Sequence, residues 1–242
     1  MVNKELQYWK NVLTALDRGE ECMILVVVES IGSSPGREGF KALVTSAGEL
    51  HGSIGGGSME QKLVELARSQ LKIARSLRDT GDRAEVRSPM IKRQIHRANE
   101  PIDRSGMICS GEQTVALVPV CRAEIDHVQH IVSALEKKQT ISFGLSRGGF
   151  ITTRSGTPRG FRKESETSWS YHEPLGDAPR IIILGAGHVG LALSRTIHQL
   201  GFHVHLMDDR ADLNTMAQNQ WAHVSNVVDY ASIGDIIHSD PE

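Results

Sequence analysis

The sequence predicts an α/β protein in which an N-terminal mixed α/β domain is followed by a second, shortened parallel-sheet domain. Two glycine-rich segments carry this prediction: Gly55–Gly57 lead into a helix, and Gly185–Gly190 form a Gly-x-Gly-x-x-Gly pattern between a strand and a helix. The 242 residues are 39% hydrophobic and 23% charged, as is usual for a folded globular protein. We expect the first domain over residues 1–155, a linker over 156–179 and the second domain over 180–242.

Hydrophobic spacing predicts the first elements of the N-terminal domain. Apolar residues at helical intervals indicate a helix over residues 3–18. The near-continuous apolar run Cys22–Val28 is typical of a strand buried on both faces. We further expect a hairpin turn at Ser46–Glu49, a helix from Met59 to about Arg78, and an irregular polar segment over residues 79–106.

The same reasoning predicts a second strand, helix and hairpin. Thr114–Val120 is another apolar, β-branched run, and the segment after it places apolar residues at helical spacing from Ile125 to Leu135. Ser146–Gly149 indicates a second hairpin turn. The chain then becomes polar from Ser155 to Pro179, with prolines spaced among glycines, and we interpret this segment as the interdomain linker.

The glycine run Gly55–Gly57 is the most informative feature of the first domain. Consecutive glycines are expected where the backbone needs positive φ or where another group approaches the backbone closely. Ser58 and Gln61 form a Ser-x-x-Gln capping box, so a helix should begin here with its free N–H groups and dipole favouring an anion such as phosphate. The alternative is a tight strand-to-helix turn that binds no ligand.

The second glycine segment predicts a nucleotide fold. Arg180–Leu184 reads as a buried strand, and Gly185, Gly187 and Gly190 follow it at the spacing of a dinucleotide fingerprint. Asp208 ends the next predicted strand, eighteen residues past the last glycine, where a carboxylate can accept a ribose hydroxyl. The pattern therefore predicts a Rossmann-like domain, or alternatively a turn of this kind that no longer binds nucleotide.

The predicted second domain amounts to one mononucleotide half. After Asp208 only 34 residues remain, sufficient for a helix at Leu213–Asn219, a strand at Trp221–Asn226 and a helix at Tyr230–His238. A dinucleotide normally lies across two such halves. We expect either that another subunit supplies the missing half in a homo-oligomer, or that the chain is a truncated form.

Composition and charge exclude several classes of protein. A formal net charge of −2 argues against a dedicated nucleic-acid binder. The basic stretch Arg68–Arg104 suits an anionic ligand, an acidic partner protein or a solvated surface. Cys22, Cys109 and Cys121 form no Cys-x-x-Cys pair, so we expect reduced thiols in a cytoplasmic protein. No signal core and no membrane-spanning segment is predicted.

Four motifs in order resemble the XdhC/CoxI family, the accessory proteins of xanthine dehydrogenase and related molybdenum hydroxylases. They are Ile31–Pro35, Gly52–Gly57, Gly106–Gly111, and Gly185–Gly190 with His188 inside the fingerprint. The resemblance extends from Glu29 to Arg210. It implies a chaperone without turnover of its own that binds molybdenum cofactor (molybdopterin). Its implied partners are a cysteine desulfurase-type sulfurtransferase, which sulfurates the cofactor, and the apo-hydroxylase that receives it.

The resemblance also implies roles for individual residues. Ser33, Ser34 and Gly55–Gly57 would hold the pterin or its phosphate, assisted by arginines of the basic stretch, and Cys109 would be the thiolate nearest the metal. Two departures concern sulfur handling: Ser58 stands where the family commonly has cysteine, and Cys109-Ser110-Gly111 stands where it commonly has Cys-Gly-Gly. With the nucleotide loop included, the expected cofactor-binding residues are Ser33, Ser34, Gly55, Gly56, Gly57, Ser58, Cys109, Gly185, Gly187, His188, Gly190 and Asp208, and Cys109 is the expected metal ligand.

Two other functions compete with the chaperone. An NAD(P)-dependent oxidoreductase would use Gly185–Gly190 and Asp208, but it also needs a proton-relay residue near the nicotinamide, and the sequence identifies none. A scaffold between sulfurtransferase and hydroxylase would bind partners without any cofactor. The content of bound pterin distinguishes the chaperone from both alternatives.

Overall fold

The computed structural model describes residues 4–76, 88–95, 111–154, 159–176 and 180–234. The chain divides into two compact units, and the boundary between them in the sequence follows Gly176. We call residues 2–176 the first unit and residues 177–242 the second unit. Both contain helices and strands, so the predicted α/β class is confirmed.

A five-stranded antiparallel sheet forms the centre of the first unit. Its strands are β1 (Cys22–Ile31), β2 (Lys41–Thr45), β3 (Leu50–Gly52), β4 (Met90–Ile95) and β5 (Glu112–Val120). They lie in the order β3–β2–β1–β5–β4. The hairpin predicted at Ser46–Glu49 joins β2 to β3, where Leu43 pairs with His51.

Helices cover both faces of this sheet: α1 (Lys4–Asp17), α2 (Gly57–Ser76) and α3 (Ile125–Glu136), the last preceded by a 3-10 turn at Arg122–Glu124. Alternate residues of β1 belong to two separate cores. Ile24 and Val26 pack in the core that includes α1 and α3, whereas Met23, Leu25 and Val27 pack in the core that includes α2. The continuous apolar run of β1 therefore marks a strand buried on both faces, as predicted.

A second antiparallel sheet corrects the predicted linker. It consists of β6 (Ile141–Ser146), β7 (Gly149–Arg154), β8 (Gly160–Lys163) and β9 (Trp169–Leu175), in the order β7–β6–β9–β8. The linker over residues 156–179 is wrong where β8 and β9 lie, because residues Ser170–Leu175 of β9 pair with β6. Trp169, Tyr171, Glu173 and Leu175 are buried in alternation. β8 begins opposite His172, so Pro174 lies outside the pairing of β9 with β8.

The second unit contains a three-stranded parallel sheet in the order β10–β11–β12. Its buried core includes Ile183, Ala186, Val204 and Leu206. The predicted Leu213–Asn219 helix is only one turn, and the third strand begins later than predicted. The elements are β10 (Arg180–Leu184), α4 (His188–Gln199), β11 (His203–Asp208), α5 (Asn214–Ala217), β12 (Val224–Val227) and a 3-10 turn (Tyr230–Ser232).

In the last helix predicted, Tyr230–His238, the described part contains that 3-10 turn, and residues after 234 lie outside the described range. Among the residues that the structure describes, no helix is long and apolar enough to cross a membrane.

Candidate functional site

Two of the predicted motifs and Gly111, the last residue of a third, meet in the first unit. The segment 31–36 contacts both the segment 52–57 and Gly111, and we call these residues the glycine-loop cluster. The antiparallel pairing of β1 and β5 explains the meeting, since Ile31 at the end of β1 pairs with Glu112 at the start of β5. The segment 52–57 enters from β3 and continues directly into α2.

Backbone contacts in the cluster are too close for side chains. A Cβ atom on Gly36 would lie 2.3 Å from the Ile54 carbonyl oxygen, and one on Gly111 would lie 2.4 Å from the Ser34 nitrogen. Contacts this short do not occur for real Cβ atoms, so these positions require glycine. The motifs are thus parts of one packed structure rather than independent loops.

The Gln113 side chain joins the two segments of the cluster by hydrogen bonds. Its side chain is buried, and its Oε1 accepts hydrogen bonds from the Ser34 hydroxyl (2.8 Å) and the Gly36 N–H (3.2 Å). Its Nε2 donates to the Ile54 carbonyl and to Gln94 Oε1, both at 3.4 Å. Gln113 was not among the predicted site residues, although strand alternation places it on the same face as Val115 and so marks it as a polar side chain in a buried position.

The two predicted serines of the first segment have different environments. Ser34 is buried and its hydroxyl donates a hydrogen bond to Gln113, so Ser34 positions the loop. Ser33 is exposed, and so is Ser58 in the first turn of α2. The exposed serines are therefore the ones placed to meet a ligand.

The glycine run Gly55–Gly57 has the predicted backbone conformation, with φ values of +125°, +75° and +74°. Its anion position is filled by the chain itself. One carboxylate oxygen of Glu60 accepts from the Ser53 hydroxyl (2.6 Å), the Ile54 N–H (2.8 Å) and the Gly56 N–H (3.1 Å). Glu60, which the sequence analysis did not assign to this role, thus supplies the contacts expected from an external phosphate.

The predicted capping box is not the arrangement found at this helix start. α2 begins at Gly57, so Ser58 lies inside the first turn and not at the N-cap, and the carboxylate that accepts the Gly56 N–H is that of Glu60. The first turn is capped by Glu60. Glu60 lies one residue before Gln61, the position that the pattern predicted, and follows the bend formed by the positive-φ residues Gly55, Gly56 and Gly57.

The three cysteines lie in different surroundings, and the structure describes two of them. Cys109, the expected metal thiolate, lies outside the described residues. Cys22 is a core residue, and burial together with the nearby Glu20 and Glu21 carboxylates raises the pKa of its thiol to about 12. Cys121 is half-buried, and its N–H donates to Glu124 at the start of the helical segment that contains α3. Within the described part of the chain, no group of His, Cys, Asp and Glu is placed to hold a metal ion.

The basic stretch is also only partly described. Arg68 donates to the Gly48 carbonyl at the β2–β3 turn, which is the opposite end of that hairpin from the cluster. Arg93 pairs with Glu112, the residue after Gly111. Of the basic residues described, Arg93 is therefore tied to an element of the cluster, while Arg68 is tied to a different loop.

The nucleotide-type loop of the second unit has its predicted local structure. Gly185 has a φ of +107°, and Gly187 precedes the first residue of α4 without a side-chain cap. A Cβ on Gly190 would lie 1.9 Å from the Gly185 carbonyl oxygen, so this glycine permits the helix to pack against the loop. His188 is exposed at the start of α4 and, with Arg195 and Trp221, lines a surface groove of about 500 Å³.

Asp208 differs from its predicted role. It is fully buried, and its carboxylate accepts from the Ala186 N–H (2.6 Å) and from the Arg210 Nε and Nη2 atoms, both at 2.9 Å. The Arg210 guanidinium and the Ala186 N–H hold the pKa of this carboxyl well below its usual range. Asp208 therefore anchors the glycine loop, and its acceptor positions toward a ribose are already occupied.

This anchoring predicts a pH effect on the loop. A carboxyl whose pKa is depressed by folding stabilises the fold above its usual pKa of about 4, and that contribution is lost as the pH falls toward the depressed value. Hydrogen exchange of the Ala186 amide should therefore accelerate, after correction for intrinsic rates, as the pH is lowered below about 4. In Asp208→Asn this pH dependence should disappear. Equal pH dependence in the variant would contradict the assignment.

Comparison with known proteins gives one family and one shared fold. The model of the XdhC and CoxI family matches residues 15–79, which confirms the resemblance over a range that contains two of the cluster segments and Glu60. The crystal structure of a xanthine dehydrogenase from Bacillus halodurans is similar, with a TM-score of 0.52 over 98% of this chain and 71% of that chain at 17% identity. At this identity the likeness shows the fold alone. No curated protein matches the chain.

Proposed function

Because residues 15–79 carry an XdhC and CoxI family domain, we propose that this protein is an accessory factor in the maturation of a xanthine dehydrogenase-type molybdenum hydroxylase. It binds molybdenum cofactor and supports its sulfuration, with a cysteine desulfurase-type sulfurtransferase as the sulfur donor, and its insertion into the hydroxylase. The observation that supports this proposal is the packing of the segment 31–36 against both the segment 52–57 and Gly111 in one glycine-loop cluster.

The chemistry of the cluster suits a pterin ring. Ser33 and Ser58 are exposed, and a Cβ on Gly56 would meet nothing within 4 Å, so a flat ligand can approach the backbone there. A pterin offers donors and acceptors along its edge, which hydroxyl and peptide groups can satisfy. The cofactor, when bound, supplies the metal on which the sulfido ligand is installed.

The cofactor phosphate does not fit the Gly55–Gly57 run in this conformation. The Glu60 carboxylate already accepts the Gly56 and Ile54 N–H groups, and a second anion at that position would be repelled by it. We therefore place the phosphate outside the run. Cys109 remains the proposed thiolate nearest the metal, on the family resemblance alone.

A matched pair of glycine substitutions tests cofactor binding. Gly56 and Gly48 both have positive φ (+75° and +97°) and open space around the position of a Cβ, but only Gly56 lies in the cluster. Protein purified from a cofactor-producing host should contain pterin in near-stoichiometric amount in the wild type and in Gly48→Ala. We expect at least about tenfold less in Gly56→Ala, the change that corresponds to roughly 1.4 kcal/mol of binding free energy.

Two further results would decide against parts of this proposal. Equal pterin in Gly56→Ala and Gly48→Ala would remove the cluster from the binding site. Absence of pterin from the wild type, also after addition of free cofactor, would contradict the chaperone and leave the scaffold or the nucleotide enzyme. Molybdenum content of Cys109→Ala, measured in the same series, tests the thiolate.

A second candidate function, nucleotide binding by the second unit, is supported by the Gly185–Gly190 loop and the uncapped start of α4. The same loop is held by Asp208, whose carboxylate is engaged by Ala186 and Arg210. We therefore propose that any NAD(P) binding here does not use Asp208 as the ribose acceptor. Titration of the purified wild type with NAD and NADP tests this candidate, and micromolar binding without bound pterin would favour the oxidoreductase.

A further inference from the structure

The second unit contains a stack of three histidine rings that takes no part in the cluster or in the nucleotide-type loop. The His223 ring lies between those of His203 and His198, with ring centroids 4.3 Å and 5.1 Å away and planes inclined by 24° and 30°. The three residues come from separate elements. His198 is in the last turn of α4, His203 is the first residue of β11, and His223 immediately precedes β12.

A hydrogen bond defines the protonation state of the central ring. The backbone N–H of Val204 donates to Nδ1 of the His223 ring (3.0 Å), while the backbone N–H of His223 donates to the Val204 carbonyl (2.9 Å). Nδ1 can accept a hydrogen bond only while it carries no proton, so the imidazole must be neutral, with its proton on Nε2. In the imidazolium form Nδ1 becomes a donor and would face the Val204 N–H. Protonation therefore breaks one of the two hydrogen bonds between His223, at the start of β12, and Val204 on β11.

The surroundings oppose positive charge in the stack. The Nδ1 atoms of His198 and His203 are buried and find no hydrogen-bond partner among the described residues, so an added proton at either atom would gain no acceptor there. Two basic residues act on the His203 ring: Arg180 on β10 pairs with His203, and His205 follows two residues later on β11. Burial, Arg180 and His205 lower the pKa of His203.

We propose that His198, His203 and His223 form an acid-sensitive clasp that holds β12 and the end of α4 against β11 in the neutral state and releases them when protonated. The sign follows from the neutral state being the folded one. Because the pKa of His203 is lowered in the folded state, its neutral ring contributes stability above the ordinary histidine pKa of about 6.5, and this contribution is lost as the pH falls below that value. His205 lies outside the stack, and its Nε2 is hydrogen-bonded to the Asn226 side-chain oxygen.

Hydrogen exchange of the full-length protein between pH 7.5 and 5.5 tests the clasp. After correction for intrinsic rates, the Val204 amide should lose at least about tenfold of its protection in the wild type, since one pKa unit corresponds to a tenfold change. The amide of Val26, in the middle of β1, should not change and serves as the internal reference. Nitrogen NMR of His223 should report the proton on Nε2 at pH 7.5.

Two variants separate the clasp from a merely structural contact. His223→Asn retains an acceptor oxygen near the position of Nδ1 but does not titrate, so Val204 should stay protected at both pH values. His198→Gln removes one ring from the stack without touching the Val204 bond, and should reduce the pH effect while leaving protection at pH 7.5. Unchanged Val204 protection in the acidified wild type, or equal acid sensitivity in His223→Asn, would overturn the proposal.

Discussion

Replacement of Lys41 with methionine is expected to lower the free energy of unfolding of the first unit by about 3–5 kcal/mol. The Lys41 ammonium is buried between the carboxylates of Glu173, with which it forms an ion pair, and Glu5, at 3.2 Å. Burial by itself disfavours the ammonium, but the two carboxylates outweigh it and raise the pKa of Lys41 above its usual value. The variant leaves the Glu173 carboxylate, whose side chain is 1% exposed, without its cation.

The Glu173 carboxylate also links several elements, which explains the size of the expected effect. It accepts a hydrogen bond from the Tyr171 hydroxyl on the same strand, while Glu5 on α1 accepts from Trp9 Nε1 (2.8 Å). Lys41 on β2 thus connects the five-stranded sheet to both β9 and α1. Removing one charge from such a group destabilises the fold by more than the intact ion pair stabilises it, because the remaining charge stays buried without a partner.

A surface ion pair provides the matched control for Lys41→Met. Lys10 and Glu136 are 2.7 Å apart, but their side chains are 43% and 50% exposed. Lys10→Met should therefore cost less than about 1 kcal/mol. Urea unfolding followed by tryptophan fluorescence measures both variants, since Trp9 and Trp169 belong to the first unit. Similar losses in Lys41→Met and Lys10→Met would contradict the proposed importance of the buried group.

Gly111→Ala is expected to destabilise the first unit by about 3 kcal/mol, the upper end of the usual cost of overpacking. The new Cβ would lie 2.4 Å from both the Ser33 carbonyl carbon and the Ser34 nitrogen. These are backbone atoms, and Ser34 is held in place by Gln113, so the loop cannot move away without breaking that hydrogen bond. Bound pterin should decrease together with stability if the cluster is the cofactor site.

Gly160→Ala is the control for this overpacking. Gly160 begins β8, lies outside the positive-φ region, and has no atom within 4 Å of the position of a Cβ. Its substitution should change stability by less than about 0.5 kcal/mol. The free energies of unfolding of both variants are obtained from urea titrations. Wild-type stability in Gly111→Ala would show that the segment 31–36 yields easily and is not rigidly packed.

The predictions from sequence succeeded where a signal is local. The two-sided burial of β1, both hairpins, the positive φ of Gly55–Gly57 and the strand–loop–helix–strand order of the second unit all follow from patterns within a few residues. The same local reasoning misread β9. Its alternation of buried and half-exposed residues is visible in Trp169–Leu175, but Pro174 and the flanking glycines and prolines indicated a linker.

Side-chain partners in the two candidate sites were beyond local reasoning. Gln113 bonds Ser34 across 79 positions and Gly36 across 77, and the strand pairing that brings them together is set by the whole sheet. The Asp208 carboxylate accepts from the Ala186 N–H, 22 positions earlier in the sequence. From the sequence alone, the same carboxylate was predicted to accept a ribose hydroxyl. Glu60 was visible at the start of α2, yet only the bend of the preceding loop directs its carboxylate back onto Ser53 and Ile54.

The α/β class, the main elements, the positive φ of Gly55–Gly57 and the family resemblance follow from the amino-acid sequence without the structure. These depend on backbone propensity, hydrophobic period and turn chemistry, which act between near neighbours. The structure was needed to show that the segments 31–36 and 52–57 form one cluster with Gly111, that Glu60 and Asp208 are engaged by the chain itself, and that three histidines stack. Such contacts join residues far apart in sequence, and their geometry exists only once the sheets have set which strands lie side by side.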